Sequence, residues 1–108
     1  MDTFTALAEP TRRRIIEMIA IRGEMTATDI SENFPVSAPA ISQHLKVLKE
    51  TNLVSMEKRA QKRIYTVNPE GIGEIEHWVQ RMRRMWTERF DALEALLLKE
   101  HSIPEGKK

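Results

Sequence analysis

Two short stretches of the chain carry side chains of the kinds that contact nucleic acid. The first is Ser37-Ala-Pro-Ala-Ile-Ser-Gln-His-Leu-Lys-Val-Leu-Lys-Glu, where Ser37, Ser42 and Gln43 are polar, Lys46 and Lys49 are cations, and His44 lies toward one flank. Glutamine can make two hydrogen bonds to adenine, and serine serves a base edge or a phosphate oxygen. The second stretch is Lys58-Arg-Ala-Gln-Lys-Arg63. Residues 51–68 hold Lys58, Arg59, Lys62 and Arg63 against the single acid Glu57, whereas acids outnumber bases by one on either side. A net charge of +1 therefore conceals a local basic patch. Such a patch attracts phosphates with strong salt dependence, and a narrow basic tip could enter a minor groove.

Other constellations are weaker. His77, Glu88 and Asp91, at separations of eleven and three, could hold zinc across a dimer seam. Carboxylates are abundant on any solvated helix, however, and His44 and His101 fall elsewhere, so no metal and no other cofactor is assigned. The absence of cysteine excludes disulfides, thiolate metal sites and thiol catalysis. There is no Gly-rich phosphate loop, HExxH or GxSxG, so the expectation is a protein without catalytic activity. Arg12-Arg13-Arg14 points three ways on a helix, about 100° apart, and one of the three is expected to be a structural ion-pair partner.

The elements that would position these residues follow from caps and periodicity. A first helix covers Thr3–Ala8, and Pro10 opens a second, with Ile15, Ile16 and Ile19 as its buried stripe and Gly23 as its stop. Thr26-Ala-Thr-Asp29 resembles a capping box and starts a helix of about two turns, with Ile30 and Phe34 on its inner face. Ser37 caps the next helix, from Ala38 to about Thr51. Its Ile41, Leu45 and Leu48 should face the core, and Asn52 can take the left-handed conformation that ends it. This pair of helices reads as a helix-turn-helix. Leu53–Glu57 and Arg63–Val67 alternate like strands, which makes a β-hairpin with Lys58–Lys62 as its basic tip. Beyond Pro69 and Gly71, taken as a boundary, a long helix runs from about Ile72 to Glu100.

The expected architecture is mainly α with a small β-hairpin, in the order four helices, two strands, one helix. Residues 1–101 form one domain and 102–108 a flexible tail. The last helix carries Trp78, Val79, Met82, Met85, Trp86, Phe90, Leu93 and Leu97, more apolar surface than so small a domain can cover. A second copy of the chain would cover it, helped by Phe4 and Leu7. Two recognition helices would then lie about one DNA turn, ~34 Å, apart. Double-stranded DNA and a homodimeric partner are thus the expected partners. No apolar run suits a membrane span and no signal peptide is evident, so a cytoplasmic protein is expected. Two rivals remain open: a protein-interaction module that does not bind DNA, and a metal- or small-ligand-responsive sensor whose effector the sequence does not name.

Phe4-Thr-Ala-Leu-Ala-Glu-Pro-Thr-Arg-Arg-Arg-Ile-Ile, the Ser37–Glu50 stretch, Arg63-Ile-Tyr-Thr-Val and the Trp78/Trp86 helix together resemble the ArsR family of winged helix-turn-helix repressors over about residues 3–97. That resemblance implies a dimer joined through the first and last helices, the fourth helix in the major groove, and repression of a promoter that often includes the protein's own gene. It puts Ser37, Ser42, Gln43 and His44 at DNA-reading positions and Arg59, Lys62 and Arg63 on the wing. The family's cysteine-based metal site has no counterpart here. In its helix-five site, Ile75 stands where an acid is expected, while His77, Glu88 and Asp91 could match the other three positions. The chain is therefore similar to a subgroup without metal ligands.

Overall fold

The computed structural model describes residues 1–106, with side chains for residues 1–100. In chain order the elements are α1 (Thr3–Ala8), α2 (Pro10–Arg22), β1 (Met25–Thr26), α3 (Ala27–Glu32), α4 (Ala38–Glu50), β2 (Val54–Arg59), β3 (Lys62–Val67) and α5 (Pro69–Gly106). The chain divides into two compact units, Met1–Ile75 and Glu76–Lys108.

In the first unit every short helix has a side-chain cap, which satisfies an amide left without an intrahelical partner. Asp2 Oδ1 accepts the Thr5 N–H at 2.7 Å, Glu9 Oε2 that of Arg12 at 3.0 Å, Thr26 Oγ1 that of Asp29 at 3.0 Å, and Ser37 Oγ that of Ala40 at 3.3 Å. Gly23 ends α2 at φ +90°, its N–H donating to Ile19 O at 2.7 Å. Asn52 follows α4 at φ +60°. The core is built from Ala6, the α2 isoleucines 15, 16 and 19, Met25, Ile30, the α4 stripe Ile41, Leu45 and Leu48, then Leu53, Val54 and Tyr65.

The segment from Met25 to Val67 differs from expectation in three ways. A third strand, β1, pairs antiparallel with β3, giving the order β1-β3-β2. Two residues are too short to leave a periodic trace, so Met25 declares itself only by being buried. The strands also run further than the alternation implied: Arg59 pairs with Lys62, and the tip is only Ala60-Gln61, with Ala60 at φ +54°. Lys58, Arg59 and Lys62 are thus strand residues, not loop residues. Finally, α3 stops at Glu32, and Phe34 packs against the core from the turn beyond it, so no helical spacing links it to Ile30.

Pro69 and Gly71 are not a boundary but the first turn of α5, where Pro lacks an amide that would be orphaned anyway. Asn68 Oδ1 accepts the Glu70 N–H at 3.0 Å. Gly71 is buried and donates to Asn52 O at 3.1 Å; a Cβ there would lie 2.2 Å from that oxygen. Only glycine permits that backbone approach. Thr3 Oγ1 donates to Glu74 Oε2 at 3.0 Å, tying α1 to this turn, and Ile72 and Ile75 pack against the core.

The second unit is the remainder of α5, which reaches Gly106 rather than ending at Glu100. The expected tail, 102–108, falls where side chains are not described, and Lys107 and Lys108 lie outside the described residues. At 100° per residue, Trp78, Val79, Met82, Met85, Trp86, Phe90, Leu93, Leu96 and Leu97 occupy an arc of roughly 140°. All are exposed, Trp86 to 68% and Phe90 to 55%.

Candidate nucleic-acid interface

Helix α4 uses its two faces differently because its residues were dealt that way at 3.6-residue spacing. Ile41, Leu45 and Leu48 are buried, while Ser42, Gln43, Lys46 and Lys49 are exposed. Ser42, Gln43, Lys46 and Lys49 line one side of a cleft of about 280 Å³ that Met56, Arg63 and Tyr65 of the hairpin close from the other. Gln43, two lysines and an arginine thus converge from two elements on one concavity. Among the described residues none of these three cations has an ion-pair partner. Ser37 is exposed and caps α4. A hydroxyl that accepts from a backbone amide still has its own proton to donate, so capping and phosphate contact are compatible.

The register divides the hairpin cations between two faces. Met56 pairs with Tyr65 and Lys58 with Arg63, so these four share one face, the one that closes the cleft. Arg59 and Lys62 share the other. On that face Arg59 is spanned by two carboxylates, Glu24 Oε2 at 3.0 Å and Oε1 at 3.2 Å from its Nη atoms and Glu57 Oε1 at 3.1 Å from Nε. The hydrogen bonds to Glu57 and to Glu24 push its ionisation still higher than that of a free guanidinium. Lys62 lines a second cleft of about 380 Å³ with Arg63, Gln61, Thr26, Thr28 and Asp29. Both cross-strand pairs at the tip are like-charged. Opposed cations of this kind are unfavourable unless an anion joins them.

His44 is half-buried and turns away from the cleft. Its Nδ1 lies 3.3 Å from Arg12 Nη1 and 3.9 Å from Glu9 Oε2. Arg12 also donates through Nε to Ala6 O at 2.7 Å, which makes it the structural member of the arginine run, although it bonds carbonyls and a ring nitrogen and not a carboxylate. The Glu9 carboxyl is held below its ordinary value. Desolvation would raise it, but the Arg12 amide and the electrostatic effects of the neighbouring His44 ring and Arg12 guanidinium together outweigh that.

Of the residues expected at a dimer surface, Phe4 is exposed on α1, and Leu7 is half-buried against the core. The eight on α5 lie on the exposed arc described above. His77, Glu88 and Asp91 point to the opposite side of that helix, and His77 and Glu88 are some 16 Å apart along it, at 1.5 Å per residue. Among the described residues no three His, Cys, Asp or Glu side chains are placed to hold a metal ion.

Sequence reasoning missed Met56 and Tyr65 as cleft walls, and the roles of Glu24 and Arg12. Strand alternation would have found the first two, had the tip been located at residues 60–61. The Glu24–Arg59 and Arg12–His44 contacts join residues 35 and 32 apart and leave no local trace.

A helix-turn-helix whose second helix faces a β-hairpin across a basic cleft is the arrangement of a winged-helix DNA-binding domain. Residues 9–56 match the model of the bacterial regulatory protein, arsR family. The chain is 36% identical over 78 residues to the transcriptional repressor SdpR of Bacillus subtilis, covering 72% of this chain and 86% of that one. It is 39% identical over 82 residues to the HTH-type transcriptional regulator Rv2034 of Mycobacterium tuberculosis, covering 76% and 73%. A solved ArsR-like transcriptional regulator from Rhodococcus sp. RHA1 superposes with a TM-score of 0.74 at 26% identity, covering 86% and 87%. The chain belongs to the ArsR family. It is a DNA-binding transcriptional regulator, not an enzyme. No helix among its described residues is long and apolar enough to cross a membrane.

Proposed function

We propose that the protein is a homodimeric repressor of a pseudo-palindromic operator, with α4 of each subunit in a major groove and the β2–β3 hairpin on the flanking backbone. The observation that carries this reading is the cleft in which Gln43, Lys46 and Lys49 of α4 meet Arg63 of β3. Gln43 and Ser42 read base edges; Ser37 donates to a phosphate oxygen, and Lys46, Lys49, Lys58, Lys62 and Arg63 neutralise phosphates. Arg59, occupied by Glu24 and Glu57, holds the wing in place. A second copy covers the exposed arc of α5 from Trp78 to Leu97, and Phe4 of α1 is a separate exposed contact for it. Apolar area of this extent on a regulatory protein marks an association site. Two-fold pairing accounts for two half-sites one turn apart. A role on DNA places the protein in the cytoplasm.

The test uses a duplex enriched from a random-sequence pool by the wild-type protein. Gln43→Ala should cost ~1–3 kcal/mol of affinity for it and relax base preference at one position per half-site. Lys62→Ala should weaken enriched and unselected duplexes alike and lower the salt slope by about 1. Equal affinity of the wild type for both duplexes at matched salt would refute the reading.

A further inference from the structure

The two pairs of opposed cations on the hairpin are treated differently by the fold. Lys58 and Arg63, on the face that closes the α4 cleft, have no ion-pair partner among the described residues. Arg59 and Lys62, on the other face, have an anion supplied from within the chain. Glu24 takes both terminal nitrogens of Arg59, with Oε2 at 3.0 Å from Nη1 and Oε1 at 3.2 Å from Nη2, while Glu57 Oε1 takes Nε at 3.1 Å. A guanidinium forks onto a carboxylate as it does onto a phosphate, so Glu24 sits where a phosphate would. Its place is set from both sides. Gly23, at φ +90°, ends α2 just before it, and Met25, just after it, pairs with Tyr65 of β3.

Arg59 is nonetheless close to the groove that the recognition helix lines. Arg63 lines both the α4 cleft and the cleft that Lys62 shares with Thr26, Thr28 and Asp29, so the two concavities adjoin. Lys62 lies directly opposite Arg59 across the strands, where Cβ atoms stand about 5 Å apart. A phosphate at Lys62 is thus one cross-strand step from Arg59, whose side chain is 50% exposed. To take that phosphate Arg59 would have to leave Glu24, and two carboxylates would then stand beside the phosphate with nothing to neutralise them.

We propose that Glu24 is a positioning residue that withholds Arg59 from DNA: as a built-in substitute for phosphate it occupies both terminal nitrogens of the guanidinium, and so lowers the sequence-independent part of the DNA affinity. The wing then neutralises phosphates through Lys58, Lys62 and Arg63 and not through Arg59. This proposal rests on the hairpin lying against the DNA backbone.

Salt-dependent binding of the full chain to the enriched duplex and to an unselected one tests it. Glu24→Gln keeps the shape of an exposed side chain and removes its charge. It should tighten binding to both duplexes about fivefold at low salt. It should also steepen the slope of log affinity against log salt by about 1, since each added phosphate contact contributes about 0.9. In an Arg59→Gln background the same change should leave the slope as it is. Equal tightening in both backgrounds would mean that only a repelling charge had been removed, and the proposal would be wrong. An unchanged slope for Glu24→Gln in the otherwise wild-type chain would also overturn it. Weaker binding by that variant would do the same, because the ion pair would then serve DNA by holding the wing. A wild type that binds neither duplex at low salt would overturn the reading of the hairpin on DNA, and this proposal with it.

Discussion

Helix α4 and the part of α5 beyond Glu76 have comparable amphipathic patterns and opposite fates. In α4 the apolar stripe is sealed: Ile41, Leu45 and Leu48 are at most 2% exposed, met by α2, α3 and β2. In α5 a broader stripe, richer in aromatic residues, stays open to solvent from Trp78 to Leu97. A helical stripe says which side seeks cover and nothing of what provides it. The first unit supplies its own cover and presents the polar side of α4 outward; the arc on α5 is exposed.

Substitutions on the two stripes should therefore act on different equilibria. The largest effect is expected from Leu48→Ala, which opens a cavity in the sealed core and should lower the free energy of denaturant unfolding by about 2–5 kcal/mol. Trp86→Ala should leave the circular dichroism of the fold in place and weaken self-association by about 2 kcal/mol or more, read by sedimentation across concentration. A Trp86→Ala protein that associates like the wild type would break the contrast at its α5 end. Gly71→Ala sharpens the other end. A Cβ pressed on the Asn52 carbonyl should cost about 1–3 kcal/mol in thermal unfolding, although alanine is the better helix former.

The smallest effect is in pH. Hydrogen bonds from the Thr5 backbone and side chain hold Asp2 below its ordinary 3.8. Glu9 lies below 4.5 although desolvation opposes it. A carboxyl whose folded value is depressed contributes stability that is complete above its unfolded value and is lost as pH falls through the folded one. Urea midpoints of the wild type should thus fall on acidification below pH 4.5, and those of Glu9→Gln should fall less.

The stretches readable along the chain were those in which one local signal suffices. Thr26, Ser37 and Gly23 announce helix ends because the groups they satisfy lie within four residues. The α2 and α4 stripes repeat often enough to show which side is buried. Where a position depended on distant chain the reading stopped short. The hairpin tip carries no Gly, Asn or Asp, so its register came from β-pairing, and with it the division of Lys58 and Arg63 from Arg59 and Lys62. The basic cluster was visible, but the carboxylate of Glu24 that occupies Arg59 was not.

Composition and periodicity alone determined the mainly helical order, the recognition-helix face and the absence of cysteine chemistry, because caps and amphipathic spacing act between near neighbours. Tertiary structure alone decided that Gly71 must be glycine, that Met56 and Tyr65 wall the cleft, and that Arg12 meets the His44 ring. Each of these depends on two segments remote in sequence meeting at van der Waals or hydrogen-bond distance, and such a meeting exists only once the chain has closed on its core.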